Sequence, residues 1–184
     1  MCNIHQIRIQ QAFIEAKMSK CVKAKVGCIL VDNEGRIAGS GYNGTRKGEQ
    51  NCCDRFPDYE QSISTITDQI GDMCIETAEL SGQPLAGMRL NIKLANQALE
   101  DLKKEHRDWA SEHEIHAEMN VLLSSDRSDY FGGTLYVTHK PCKRCAPVIA
   151  ASGLIEVVYS IDGLTGDSDD SIFGNVKLTQ VGEA

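Results

Sequence analysis

Two short motifs place the strongest constraint on how this chain folds. The first contains His116 and Glu118, and the second is the Pro-Cys-Lys-Arg-Cys run of residues 141–145. One imidazole and two thiolates are ligands that zinc prefers, and three protein ligands leave the fourth tetrahedral position open, as in catalytic zinc sites. The fold must therefore bring His116, Cys142 and Cys145 together around one metal, with the Glu118 carboxylate nearby.

Each motif stands where a helix is expected to begin. An apolar stripe at helical spacing accompanies the first motif: Ile115, Met119, Leu122 and Leu123. Pro141 suits the first turn of a second helix, which would place Cys142 and Cys145 on one face and end at Gly153. A helix N-terminus favours thiolates over thiols, because its dipole and unpaired amides attract negative charge.

The remaining patterns predict a layered α/β domain. An amphipathic helix is predicted over residues 3–19. Strands are predicted at 26–31, 36–40, 134–138, 155–160 and 176–181. With the two motif helices, this order predicts a three-layer α-β-α sandwich around a mixed sheet of about five strands. We expect a single domain over 1–184 with a partly helical insertion at about 46–113, or else a small subdomain within that insertion.

The composition excludes several functional classes. No apolar run approaches the roughly 20 residues of a membrane helix, and the polar N-terminus lacks a signal-peptide pattern, so a cytoplasmic protein is expected. The eight cysteines then indicate metal chemistry rather than disulfides. A net charge of −7 disfavours a nucleic-acid polymer as partner. A small anionic ligand could still bind a local basic group: Lys17, Lys20, Lys23 and Lys25, or Lys140, Lys143 and Arg144.

Taken singly, the motif residues have ordinary explanations. His116 alone would more often be a structural histidine, and Glu118 alone a surface carboxylate. Cys142 and Cys145 could form a thioredoxin-like redox pair or half of a zinc ribbon, although the sequence contains no second Cys-x-x-Cys. The combination of His-x-Glu with Pro-Cys-x-x-Cys, separated by a strand, favours the catalytic zinc site of a nucleoside or nucleobase deaminase, with Glu118 moving protons.

These two motifs and the Gly-Tyr-Asn-Gly segment of residues 41–44 together resemble the deoxycytidylate (dCMP) deaminases, particularly the phage type, of the zinc-dependent cytidine deaminase superfamily. The insertion and the C-terminal tail match poorly. The resemblance implies hydrolytic conversion of dCMP to dUMP, which supplies dTMP synthesis in pyrimidine metabolism. It further implies a homohexamer that dCTP with Mg²⁺ activates and dTTP inhibits. If the protein is phage-encoded, the resemblance implies that it acts in the host cytoplasm.

The resemblance also implies roles for particular residues. Substrate contacts are expected at Ala117, whose backbone would bind the pyrimidine carbonyl, and at Asn43, Pro141 and Lys25. The regulatory nucleotide site is expected at Gly41, Tyr42, Asn43 and Gly44, with Arg127 linked to the response. A second, structural zinc is expected at Cys21, Cys52 or Cys53, His106 and Glu114.

Two departures from the family pattern leave alternatives open. A tyrosine common after the strand at 155–160 is missing from the Ile-Asp-Gly-Leu of residues 161–164, so a 5-substituted dCMP is an alternative substrate. Leu123-Ser124 replaces an aromatic position of phage relatives, which weakens the expectation of dCTP activation. A guanine or tRNA-adenosine deaminase is disfavoured by residues 41–44. A catalytically silent zinc-binding module is disfavoured because such a site does not need Glu118.

Overall fold

The chain forms two compact units. The computed structural model describes residues 4–79, 86–163 and 169–182, with the backbone alone described at 76–79 and 86–88. Residues 1–51 and 114–184 form the sheet unit, which carries both zinc motifs, and residues 52–113 form the helical unit. That the whole chain acts as one deaminase domain stays a prediction.

A mixed five-stranded sheet forms the centre of the sheet unit. In spatial order its strands are β2 (Ile37–Tyr42), β1 (Gly27–Val31), β5 (Thr134–His139), β6 (Glu156–Ile161) and β7 (Lys177–Gln180). β1 is antiparallel to both β2 and β5, whereas β5, β6 and β7 are parallel. A separate two-stranded ribbon pairs β3 (Gly44–Thr45) with β4 (Glu114–Ile115). The predicted mixed sheet is confirmed.

Helices cover both faces of this sheet, because alternate strand residues send apolar side chains to opposite sides. The helices of the sheet unit are α1 (Ile4–Ala16), α5 (Ala117–Ser124), α6 (Arg127–Tyr130) and α7 (Ala146–Ser152), with a 3₁₀ turn at Asp170–Phe173. The core on the α1 face contains Ile9, Ala12, Ile29, Val31, Tyr136 and Val158. The core on the α5 and α7 face contains Leu30, Val121, Val137, Ile149, Val157 and Phe173, among others. The predicted α-β-α sandwich is therefore confirmed.

The helical unit is dominated by two long helices that pack along each other. Its helices are α2 (Cys52–Arg55), α3 (Tyr59–Glu79) and α4 (Ala86–His113). Near one end, the rings of Phe56, Tyr59, His106 and Trp109 lie in contact. The stretch from 61 to 69, polar by sequence, lies within α3. No helix in the described ranges is long and apolar enough to cross a membrane.

The structure corrects three local predictions. The helix after the second motif begins at Ala146 rather than at Pro141, because Pro147 occupies its first turn and Cys145 is the N-cap. Of the predicted apolar stripe, Leu122 is buried and Met119 packs against the core, but Leu123 is 73% exposed, and the fully buried Val121 was not predicted. The strand predicted at 36–40 extends to Tyr42, so the first two residues of the segment 41–44 end β2 and its last begins β3.

Candidate zinc centre and active site

His116 stands at the boundary between a short strand and a helix. β4 ends one residue before it, and α5 begins one residue after it at Ala117. His116 is extended, with φ −68° and ψ 152°, and its carbonyl accepts a hydrogen bond from Asn120 N at 2.9 Å. It is therefore the N-cap of α5, so ordered backbone on both sides fixes where its imidazole lies.

Cys142 and Cys145 are joined by a tight turn between β5 and α7. The amides of Cys145 and Ala146 each donate to the Cys142 carbonyl at 3.0 Å. A proline in the first turn of α7 sacrifices no hydrogen bond, since amides there have no intrahelical acceptor. The turn thus presents both sulfurs at the beginning of α7, at the same edge of the sheet unit as His116.

The three predicted ligands converge. His116 Nδ1 lies 3.3 Å from Cys145 Sγ and 3.5 Å from Cys142 Sγ, and all three ligand atoms lie within 4.8 Å of one another. Tetrahedral zinc, with bonds of about 2.0 Å to nitrogen and 2.3 Å to sulfur, separates such atoms by roughly 3.5 Å. The donor types and their spacing therefore fit zinc.

The charge state of the two cysteines also suits a divalent cation. The hydrogen bond from the Cys145 side chain, aided by His116 and opposed by burial, lowers the pKa of Cys142 to about 3. The same hydrogen bond, together with burial, raises the pKa of Cys145. The hydrogen bond to Cys142 also raises the pKa of His116, against the effect of burial. Cys142 is thus the thiolate and Cys145 the thiol, and a bound cation can replace the proton of Cys145.

Glu118 lies in the first turn of α5, two residues after His116, and only 4% of it is exposed. Burial raises the pKa of Glu118, although its own amide and the nearby His116 oppose that shift. The carboxylate is within hydrogen-bonding reach of the Cys145 side chain. A buried carboxyl group with a raised pKa beside a metal-ligand set is suited to accept and return protons.

Asn43 is buried and ties the chain segment before β1 to the end of β2. Its Oδ1 accepts from Val26 N at 2.8 Å, and its Nδ2 donates to Ala24 O at 3.0 Å. Lys25, between those two backbone groups, is exposed. The side-chain amide of Asn43 therefore positions the segment that carries Lys25, and the predicted substrate contacts of both residues stay predictions.

The predicted regulatory segment contacts α5. Tyr42 O accepts a hydrogen bond from Asn120 Nδ2 at 2.7 Å, while the Tyr42 side chain is partly exposed. Gly41 is buried and Gly44 is half-buried. The segment is thus linked to the helix that bears Glu118, and its predicted nucleotide binding is not tested by these contacts.

Arg127 caps the far end of α7. Its Nε donates to Ser152 O at 2.9 Å, where helix carbonyls lack intrahelical partners, and its guanidinium lies 5.6 Å from the centre of the Phe131 ring. The structure gives this residue a packing role, and its predicted regulatory role stays a prediction. Pro141 and Ala117, the other predicted substrate residues, are both fully buried.

The predicted ligands of the second zinc are divided between the two units. Cys21 and Glu114 belong to the sheet unit. Within the helical unit, Cys52 Sγ lies 3.3 Å from His106 Nε2, and both residues are buried, whereas Cys53 is only half-buried. The Nδ1 atom of His106 is buried and has no hydrogen-bond partner among the described residues. Cys52, rather than Cys53, is therefore the cysteine placed beside His106.

Two contacts near the site were absent from the sequence predictions. Cys28 Sγ donates to Ala117 O at 3.0 Å, a contact that links residues far apart in the chain. Lys140, noted only as part of a basic group, forms an ion pair with Asp170 at 2.7 Å, and its Nζ lies 5.8 Å from the centre of the Tyr159 ring. Neither contact has a local sequence signal, because both depend on how the sheet brings distant segments together.

Comparison with known proteins gives matches over most of the chain. The family described as "Cytidine and deoxycytidylate deaminase zinc-binding region" matches residues 3–161. The deoxycytidylate deaminase of Enterobacteria phage T4 is 33% identical over 157 residues, which are 82% of this chain and 74% of that protein. The deoxycytidylate deaminase of Mycobacterium phage D29 is 33% identical over 146 residues, 78% of this chain and 84% of that protein.

Two solved structures share the fold. The dCMP deaminase from cyanophage S-TIM5 in apo form superposes with a TM-score of 0.57 at 21% identity, covering 97% of both chains. The same enzyme in complex with dCMP and dUMP gives a TM-score of 0.60 at 23% identity, covering 97% of this chain and 96% of that one. At these identities the likeness establishes the fold, which agrees with the α-β-α architecture.

Proposed function

Because this chain belongs to the cytidine and deoxycytidylate deaminase family and is a hydrolytic deaminase, we propose that it converts dCMP and water into dUMP and ammonia. The observation that carries the proposal is the convergence of His116 Nδ1 with the sulfurs of Cys142 and Cys145 beside the buried Glu118 carboxylate. The choice of dCMP is supported by the phage deoxycytidylate deaminases that the chain resembles over most of its length.

In the proposed reaction, Glu118 carries the protons. It takes one proton from the attacking water and delivers it to N3 of the pyrimidine while the new bond from oxygen to C4 forms. It then moves the second proton from that oxygen to the amino group, the C4–N bond breaks, and ammonia leaves. Zinc bound to His116, Cys142 and Cys145 would supply the acidity that makes water a nucleophile near neutral pH.

The start of α5 supplies further groups to the proposed site. The Ala117 amide belongs to the first turn, where N–H groups have no intrahelical acceptor, so it can donate to the carbonyl oxygen of the pyrimidine. The burial of Glu118 keeps bulk water from competing for the transferred proton. One helix start thus presents a metal ligand, a substrate donor and a proton carrier on three successive residues.

Ammonia release from a panel of substrates tests the choice of dCMP. The purified protein is assayed with dCMP, deoxycytidine, CMP, guanine and 5-methyl-dCMP, and we expect the highest kcat/KM with dCMP. A higher value with deoxycytidine or guanine would contradict the proposed substrate. Turnover of 5-methyl-dCMP would support the alternative drawn from residues 161–164, of which Leu164 lies outside the described residues.

We propose that Cys52 and His106 also contribute to a second, structural zinc. Support comes from their short Sγ–Nε2 separation and their burial. Elemental analysis is expected to find two zinc ions per chain, and one in a Cys52→Ser variant. The half-buried Cys53 provides the matched control, because its serine variant should keep both ions. The contributions of Cys21 and Glu114 remain predictions from the resemblance.

The regulatory proposals rest on the resemblance. We propose that dCTP with Mg²⁺ activates and dTTP inhibits a homohexamer whose product serves dTMP supply. Assays of dCMP turnover at subsaturating substrate, with each nucleotide added separately, test the sign of regulation. Light scattering at the same protein concentration tests the assembly. Unchanged rates with both nucleotides would contradict the regulatory proposal without affecting the assigned reaction.

A further inference from the structure

Helix α5 lies directly on strand β2, where two glycines face it. A Cβ atom at Gly41 would lie 2.9 Å from Ala117 O and 3.1 Å from the Val121 side chain. A Cβ atom at Gly39 would collide with Ser125. Because residues two apart face the same side of a strand, the pair leaves a strip of bare backbone. Glycine at Gly41 therefore admits the Ala117 carbonyl at the start of the helix.

A buried thiol holds the same carbonyl. Cys28 lies opposite Gly41 in the β1–β2 pairing and is fully buried. Its Sγ donates to Ala117 O at 3.0 Å. Burial, and to a lesser degree the charge of Glu118, raise the pKa of Cys28, so the thiol keeps the proton that it donates. The carbonyl is thus fixed sterically from one strand and by a hydrogen bond from its neighbour.

We propose that Cys28 and Gly41 are positioning residues of the deamination reaction and act by fixing the peptide group between Ala117 and Glu118. A peptide group is planar, so holding its oxygen also sets the direction of its N–H and of the next Cα atom. That Cα carries the proton-transferring carboxylate. The peptide stands one residue after the metal ligand His116, so its orientation sets the distance from carboxylate to metal site. This inference deepens the proposed function and rests on it.

Paired substitutions at Cys28 separate positioning from packing. Cys28→Ala removes the donor with little change in volume, whereas Cys28→Ser keeps a hydroxyl donor at the same place. Loss of one hydrogen bond corresponds to about a three- to ten-fold change. We expect Cys28→Ala to lower kcat for dCMP, per bound zinc, by about that factor with KM unchanged. Cys28→Ser should restore kcat to within about two-fold.

Substitution at Gly41 tests whether the close approach of β2 to the Ala117 carbonyl contributes to this positioning. Gly41→Ala should displace the Ala117 carbonyl by several tenths of an ångström or more, and misplacements approaching 1 Å cost about 100-fold in rate. Gly71→Ala is the matched control, because a Cβ there meets no atom within 4 Å and the residue lies in the helical unit. That variant should retain the kcat of the unmodified enzyme.

Zinc content and the midpoint of thermal unfolding are measured for every variant, so that activity is expressed per zinc-loaded, folded chain. Unchanged kcat per zinc in both Cys28→Ala and Gly41→Ala would overturn the inference, whatever happens to their stability. Equal losses in the alanine and serine variants of Cys28 would also overturn it, since packing would then be responsible. If Gly41→Ala does not fold, the Cys28 pair decides alone. Failure of the proposed function is distinct, because the unmodified enzyme would then leave dCMP intact.

Discussion

Replacing Glu118 with glutamine should remove the chemistry while leaving the metal site in place. The side chain of glutamine has nearly the same shape as that of glutamate, so the substitution leaves no cavity. Its amide, however, can neither accept nor return a proton. General acid–base catalysis typically contributes 10²–10⁴-fold, and only 4% of Glu118 is exposed, which leaves little access for a replacement base from solvent. We therefore expect kcat to fall by about 10³-fold, equivalent to about 4 kcal/mol of transition-state stabilisation.

The assay follows the loss of ultraviolet absorbance as dCMP becomes dUMP, alongside elemental analysis of the same sample. Zinc content should stay at the value of the unmodified enzyme, because the ligand atoms belong to His116, Cys142 and Cys145. Glu112→Gln is the matched control, since that glutamate is exposed on α4 in the helical unit. Its kcat should remain within about two-fold of the unmodified enzyme.

Two outcomes would refute the reasoning about Glu118. If Glu118→Gln retains more than about a tenth of the activity, the carboxylate does not carry the proton, because a contribution of at least 10²-fold is expected. If the variant loses zinc, its inactivity would report the metal site instead of proton transfer. In that case Glu118 would be assigned the role of holding the zinc ligands in place.

Two further predictions test the metal site and the stability of the sheet. Cys145→Ser should lose the catalytic zinc and all measurable turnover, since a hydroxyl is a poor zinc ligand; a variant that keeps full zinc would contradict the assignment. Burial alone would raise the pKa of Glu156, but the hydrogen bonds from Lys177 at 2.8 Å and Thr179 at 2.6 Å lower it overall. The resulting stabilisation, about 1 kcal/mol, is present above the unfolded-state pKa near 4.3 and is lost as pH falls through the folded-state pKa. The unfolding midpoint of Glu156→Gln should therefore lie below that of the unmodified protein at pH 7 and converge with it near pH 3; a pH-independent difference would contradict this.

Local patterns were sufficient to predict the elements that carry the chemistry. The runs of β-branched residues predicted the strands of the sheet, and their alternation with helical patterns predicted helices on both faces. The strand predicted at 134–138 ends one residue later, at His139, and the helix predicted to begin beside His116 begins at Ala117. Donor chemistry predicted which three side chains meet, because imidazole and thiols at that spacing have few other uses.

Other features depended on competing local signals. Pro141 and Pro147 both suit the first turn of a helix. Pro147 decides between them, because it has no N–H to donate to the carbonyl four residues earlier, so the regular helix begins only at Ala146. Hydrophobicity predicted the buried Leu122 of α5, but not that Leu123 faces outward or that the acidic Glu118 is buried.

Contacts between distant segments left no trace in the sequence. The bond from Cys28 to Ala117 joins residues 89 positions apart, and it exists because β1 and β2 pair beneath α5. The bond from Arg127 to Ser152 at the end of α7 likewise joins residues 25 positions apart. Such contacts follow from packing, and packing is a property of the whole fold.

Isotope incorporation tests the central claim, hydrolytic deamination of dCMP at this site, most directly. The zinc-loaded enzyme is incubated with dCMP in water enriched in oxygen-18, and the products are analysed by mass spectrometry and ammonia assay. We predict dUMP carrying one oxygen-18 at C4 and one equivalent of ammonia per dUMP formed. The absence of dUMP, or the formation of dUMP without the label, would contradict the account.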